Sequence, residues 1–165
     1  MLGISEAHQV WARAAGCDEP RWCSVHDVRP GFRVAVSGAG AVWQTVVSVR
    51  SEMRHDALRG ADTRRRVVCE TTHSAEVCYV SGDREAGVTM VPAGRVGRFI
   101  RVPALAVGDP TLRSYACVDL GKFGPIAGGR VMYSLETDGA DKPVLVTRIV
   151  SGGVAGPATL VRVGR

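Results

Sequence analysis

Phe32-Arg-Val-Ala-Val-Ser-Gly-Ala-Gly-Ala-Val-Trp-Gln-Thr-Val-Val-Ser-Val49 sets the fold class. Phe32–Val36 reads as a strand, the SGAG stretch at 37–40 as a hairpin turn, and the loosely alternating Ala41–Val49 as the partner strand. Valine dominates because β-branched side chains are stiff and pack well on a pleated surface. The same punctuation recurs along the chain. Arg66–Cys69, Glu76–Val80, Val88–Val91, Phe99–Val102, Val131–Leu135, Val144–Val150 and Thr159–Val163 read as further short strands, and 20 glycines supply turns between them. About nine or ten short strands in one domain predict an all-β barrel or sandwich-like architecture.

Two kinds of segment depart from this pattern. Residues 5–16, SEAHQVWARAAG, read as a short N-terminal helix: Ser5 can cap it, Ala7, Val10, Trp11, Ala14 and Ala15 recur at helical spacing, and Gly16 can stop it. Glu52–Leu58 reads as a second, shorter helix. Residues 103–130 carry Pro103, Pro110 and Pro125 among several glycines, and read as an irregular insertion. The expected organisation is a single β domain over 1–165, with 1–16 as a helical segment and 103–130 as the excursion.

At 165 residues the chain can bury a sizeable core without a disulfide or metal. No apolar run approaches the ~20 residues of a membrane span. No basic stretch followed by an apolar one marks the N-terminus, so the expected location is cytoplasmic. The five cysteines then read as free thiols in a reducing compartment. The net charge of +5 permits a nucleic-acid partner, but Arg64-Arg-Arg66 is the only basic run and reads as a solvated loop.

There is a faint internal duplication. Arg29-Pro-Gly-Phe-Arg-Val34 is similar to Arg95-Val-Gly-Arg-Phe-Ile-Arg-Val102, and Val46-Val-Ser-Val-Arg50 to Val144-Leu-Val-Thr-Arg148. A real duplication implies a pseudo-twofold axis; chance similarity among valine-rich strands is the competing reading.

Four segments, in order, resemble the Hint fold shared by inteins and the hedgehog autoprocessing domain. They are His26-Asp-Val-Arg-Pro-Gly-Phe-Arg-Val34, Gly40–Val49, Val67-Val-Cys-Glu-Thr-Thr-His-Ser-Ala-Glu-Val-Cys-Tyr-Val80 and Ile149-Val-Ser-Gly-Gly-Val-Ala-Gly-Pro-Ala-Thr-Leu160. The resemblance spans roughly residues 24–163 and implies a pseudo-twofold β horseshoe of two duplicated halves. In that family a cysteine at the domain start attacks the preceding carbonyl to form a thioester, and a T-x-x-H histidine assists the acyl shift. These steps need a thiolate and a proton donor for the departing amide nitrogen. The resemblance implies Cys17, after Gly16, as nucleophile, His73 as general acid/base, and Thr72 beside it in the site. Glu70 stands where the family's motif has threonine, and Ser51 falls near the place of the aspartate that activates a sterol in hedgehog domains. The chain ends Leu160-Val-Arg-Val-Gly-Arg165, without the intein histidine–asparagine pair, so neither sterol transfer nor splicing is expected.

Other chemistries are weaker. Cys23-Ser-Val-His26 and Cys69-x3-His73 offer four soft donors for zinc, but Cys69 looks like a strand residue, and no metal or cofactor is expected. Only fourteen residues follow Ser151, too few to complete a serine-protease barrel, so Ser151-Gly-Gly reads as a hairpin turn. No phosphate loop is present. The sequence thus leaves two functional readings. One is a Hint-like domain, active or inactive, that self-cleaves through a cysteine thioester. The other is a noncatalytic β module binding a protein or nucleic-acid partner through a basic surface.

Overall fold

A computed structural model describes residues 1–37, 41–62, 64, 68–80, 88–105, 115–139, 144–151 and 154–164. They form fifteen strands in one connected sheet system, with single 3-10 turns between some of them. The strands are β1 (Ile4–Ser5), β2 (His8–Arg13), β3 (Arg21–Ser24), β4 (Arg33–Ser37), β5 (Ala41–Arg54), β6 (Leu58–Ala61), β7 (Val68–Thr71), β8 (Glu76–Val80), β9 (Val88–Pro92), β10 (Ile100–Leu105), β11 (Tyr115–Leu120), β12 (Gly124–Pro125), β13 (Arg130–Thr137), β14 (Val144–Ser151) and β15 (Val154–Arg162). The all-β expectation holds. The hairpin of Phe32–Val49 is present as β4 and β5, in register from Arg33↔Thr45 to Ser37↔Ala41; positions 38–40 of its turn lie outside the described residues, as do 65 and 66 of the basic run, 66 and 67 of the strand expected over Arg66–Cys69, and 152–153 after Ser151.

The repeat is visible in the topology. β2 and β3 form a hairpin, a 3-10 turn at Val25–Asp27 follows, and β4 and β5 form the next hairpin. In the second half β8, β9, a 3-10 turn at Ala93–Arg95, β10 and β11 repeat that order and pairing. Buried Val25 and Val28 of the first half correspond to buried Ala93 and Val96 of the second, and Val34 to Val102. The long hairpin of β14 and β15 joins the halves: β14 pairs with β2 and β4, β15 with β8 and β10. This is the pseudo-twofold arrangement expected from the motif at Arg29–Val34 and Arg95–Val102; the other pair, Val46–Arg50 and Val144–Arg148, falls on β5 and β14, which are not equivalent, since β5 corresponds to β11 and β14 belongs to the joining hairpin.

The N-terminal helix is absent. Residues 8–13 form a strand in which His8, Val10 and Ala12 are buried while Gln9, Trp11 and Arg13 are half-buried on the other face. Both faces carry an apolar residue because Trp11 packs on Trp22 across the β2–β3 hairpin, with ring centroids 5.2 Å apart. That second apolar residue hides the two-residue period and lets Val10, Trp11 and Ala14 imitate a helical stripe. Gly16 does end the element, at φ 75°, but as the turn of a hairpin. The Glu52–Leu58 helix is also absent. β5 runs on to Arg54 because β13 pairs with it from Val46↔Thr137 to Arg54↔Arg130, and a new strand begins at Leu58. Within 103–130, residues 103–105 belong to β10, and β11, β12 and the start of β13 follow, so those parts are ordinary sheet; 106–114 lie outside the described residues.

Among the described residues a smaller second cluster gathers Ala35, Cys78, Ala158 and Leu160, while the main core holds Ile4, Val10, Val25, Val28, Val34, Val46, Leu135 and Val161, all essentially inaccessible. β1 sits at its centre, paired with β13 on one side and β7 on the other. This short strand therefore brings the start of the chain against the end of β7.

Candidate functional site

Thr72 closes on the first residues of the chain. Its Oγ1 donates to the Met1 carbonyl at 2.8 Å and accepts the Gly3 N–H at 3.0 Å, and its own N–H donates to the Gly3 carbonyl at 3.0 Å. Threonine suits this position because its β-branched side chain is stiff at χ1, and a single hydroxyl serves one donor and one acceptor. Gly3 has no room for a side chain, because a Cβ there would stand 2.9 Å from the Tyr133 carbonyl oxygen. The C-terminal residues reach the same place. Gly164 bridges Leu2, its N–H donating to the Leu2 carbonyl at 3.1 Å, and Ser134 Oγ donates to the Gly164 carbonyl.

His73 follows Thr72 on an exposed turn. Its carbonyl accepts the Gly94 N–H at 2.9 Å, and the missing side chain at Gly94 leaves space for the imidazole: a Cβ there would lie 2.9 Å from Nδ1. The turn is thus anchored by backbone while the side chain remains open to solvent. Arg54, chelating Asp56 at 2.9 Å from both Nε and Nη2, holds that carboxyl below its usual range, with a smaller contribution from His73.

Beneath Thr72 lies a buried polar cluster. Glu70 is 6% exposed; its Oε1 accepts the Ser5 hydroxyl at 2.7 Å and stands 3.6 Å from Arg130 Nε, while Oε2 stands 4.0 Å from Arg59 Nε. Its backbone N–H donates to His8 Nε2 at 3.1 Å. That bond requires Nε2 to be unprotonated, so His8 is the neutral Nδ1–H tautomer. Burial drives the His8 pKa down from 6.5 to about 3.

The sequence motif points to Thr72 and His73, but it shows Glu70 only as an irregular position and gives no sign of Ser5 and His8. Those two fall in the stretch whose spacing imitates a helix, where their burial against β7 cannot be seen. Cys17 is placed elsewhere. It is exposed in the β2–β3 turn, its N–H donating to the Ala14 carbonyl at 3.0 Å. The His8 end of β2 abuts Glu70, and Cys17 lies beyond the other end, roughly 16 Å further along for five strand steps. The structure brings Thr72 and His73 together and does not bring Cys17 to them. Cys69, next to Glu70, is buried, and burial pushes its thiol up to about 12, which makes it a poor nucleophile. Among the described residues no group of three or more His, Cys, Asp or Glu is arranged to hold a metal, and no helix is long and apolar enough to cross a membrane.

No protein-family model and no curated protein matches the sequence. Solved structures do. An intein from a hyperthermophile superposes with a TM-score of 0.69 at 11% identity, over 97% of this chain and 99% of that one. A DnaB intein from Synechocystis gives 0.63 at 12% identity over the whole of both chains. A bacterial intein-like domain from Clostridium thermocellum gives 0.63 at 11% identity, over 98% and 99%. Nearly complete coverage in both directions, on a duplicated β topology whose first strand is clasped by the residues after β7, shows that this chain has the fold of the inteins, the Hint-type fold.

Proposed function

We propose that the chain is a Hint-like domain of the self-processing type, inactive as it stands, whose centre lies at the Thr72–His73 turn and grips the backbone of its own first residues without cleaving it. The observation that carries this reading is the Thr72 hydroxyl held between the Met1 carbonyl and the Gly3 amide. A hydroxyl donating to a peptide carbonyl polarises it, and an exposed histidine one residue away can deliver a proton to a departing nitrogen. Nothing in Met1–Ile4 carries a thiol or hydroxyl, and the Ser5 hydroxyl already donates its hydrogen bond to Glu70. The centre therefore grips the bond without a nucleophile of its own among these residues. Polypeptide joined ahead of Met1 would belong to a precursor whose junction is held by Thr72.

A basic-surface binding module is the weaker reading. Arginines are interleaved with acids: Arg33 pairs with Asp18, Arg54 with Glu52 and Asp56, Arg101 with Asp119, and Arg162 with Glu76.

The test fuses a small carrier protein ahead of Met1 and follows intact mass with and without dithiothreitol or hydroxylamine. The parent fusion is expected to stay whole. Leu2→Cys places a thiol next to the clasped Met1 carbonyl and should release the carrier with Met1, and His73→Ala in that background should slow the release. An uncleaved Leu2→Cys fusion that folds normally would sink the proposed centre. Loss of residues 1–16 from the parent, prevented by Cys17→Ala, would move the chemistry to Gly16–Cys17.

A further inference from the structure

The long strand β5 is paired on both sides only in part. Its first residues, Ala41–Thr45, pair with β4, and Val46–Arg54 pair with β13 on the opposite side. Val46 exchanges backbone hydrogen bonds with Gly31 and Phe32 at the end of the β4 side. Beyond it, Val47–Arg54 have no strand partner on that side among the described residues. This open edge carries Val47 and Met53, 54% and 55% exposed, with Arg50, Ser51 and Glu52 exposed between them. A long open edge of this kind invites another strand unless charge or shape forbids it.

The charges on this edge select a partner. Two copies of one strand can join edge to edge about a two-fold axis perpendicular to the sheet. Side chains alternate between faces, so such an axis can only oppose residues of the same parity. Centring the axis on Arg50 opposes Arg50 to itself, and centring it on Glu52 opposes Glu52 to itself and Arg50 to Arg54. Centring it on Ser51 opposes Arg50 to Glu52 twice, Val49 to Met53 twice, and Ser48 to Arg54 twice. This register uses nearly the whole free edge, sets every charged pair favourably, and covers exposed Met53 with an apolar neighbour.

From this self-complementarity we infer that the free edge of β5 is a docking strand for a second copy of this chain, forming an antiparallel two-fold dimer centred on Ser51. The dimer does not depend on the chemistry proposed for the Thr72–His73 centre. Like charges directly opposite one another destabilise a strand pair, so reversing one partner has a predictable sign.

Sedimentation velocity across a dilution series tests the inference. The parent chain should show a concentration-dependent dimer. Arg50→Glu and Glu52→Arg should each weaken it by about tenfold, since each reverses both symmetry-related pairs. The double exchange Arg50→Glu with Glu52→Arg should restore it to near the parent value. Both positions are exposed, and circular dichroism of each variant controls for folding. A parent chain monomeric at every concentration overturns the inference and leaves the edge to some other occupant. A dimer indifferent to both single exchanges overturns it equally.

Discussion

Replacing Thr72 with valine keeps the shape of the side chain and removes the hydroxyl that ties the residue after β7 to Met1 and Gly3. The substitution deletes two hydrogen bonds, to the Met1 carbonyl at 2.8 Å and from the Gly3 amide at 3.0 Å. The Gly3 partner is in a buried setting, so its N–H loses its acceptor with no water to replace it. An orphaned buried donor costs about 1–3 kcal/mol, and the bond to the half-buried Met1 carbonyl adds about 0.5–1.5 kcal/mol. Valine recovers part through its extra methyl, which leaves about 2 kcal/mol of destabilisation. In a domain of this size that lowers Tm by about 4–8 °C. Urea unfolding should show a lower midpoint at unchanged m-value, because the strands and their burial are retained. Amide exchange should accelerate at Gly3, while Thr72 N–H, bonded to the Gly3 carbonyl, keeps most of its protection. A loss below about 0.5 kcal/mol with Gly3 exchange unchanged would show that the hydroxyl does not hold the strand, and the proposed centre would lose its anchor.

Three further outcomes follow from the same geometry. His8 has a folded-state pKa of about 3 against 6.5 unfolded, so the unfolded chain binds a proton that the folded chain excludes. Stability from this group is full above pH 6.5 and declines as pH falls toward 3, by at most about 1.4 kcal/mol per pH unit; urea midpoints at stepped pH should show the slope, and His8→Gln should flatten it. Gly60→Ala drives a methyl into the buried Phe123 ring and should cost about 1–3 kcal/mol, with Phe123→Leu recovering part of it in the same unfolding assay. Cys17 and Cys117 are exposed while Cys23, Cys69 and Cys78 are buried, so a thiol reagent should titrate two groups quickly in the folded protein and all five in denaturant; fast reaction of a third would contradict the packing around β3, β7 or β8.

The all-β class and the duplicated plan are legible in the residues alone. Alternating β-branched residues bounded by glycine encode a strand locally, and the paired motifs at Arg29–Val34 and Arg95–Val102 encode the two halves. The candidate positions Thr72 and His73 can be named from the sequence too, because a motif is a local string. The rest depends on how distant segments meet. Residues 8–13 are a strand because β14, β3 and β4 supply hydrogen-bond partners from other parts of the chain, and those outweigh a helical spacing of alanines. Residues 52–54 are a strand because β13 arrives beside them. Cys17 follows a glycine, as a nucleophile at a Gly-Cys junction would, but β2 and β3 pair on either side of it and carry it to a hairpin turn. Ser5, His8 and Glu70 meet only because β1 is sandwiched between β7 and β13. Contacts between residues more than sixty positions apart leave no trace in local spacing, and in this fold such contacts set both the clasp on the first strand and the open edge of β5.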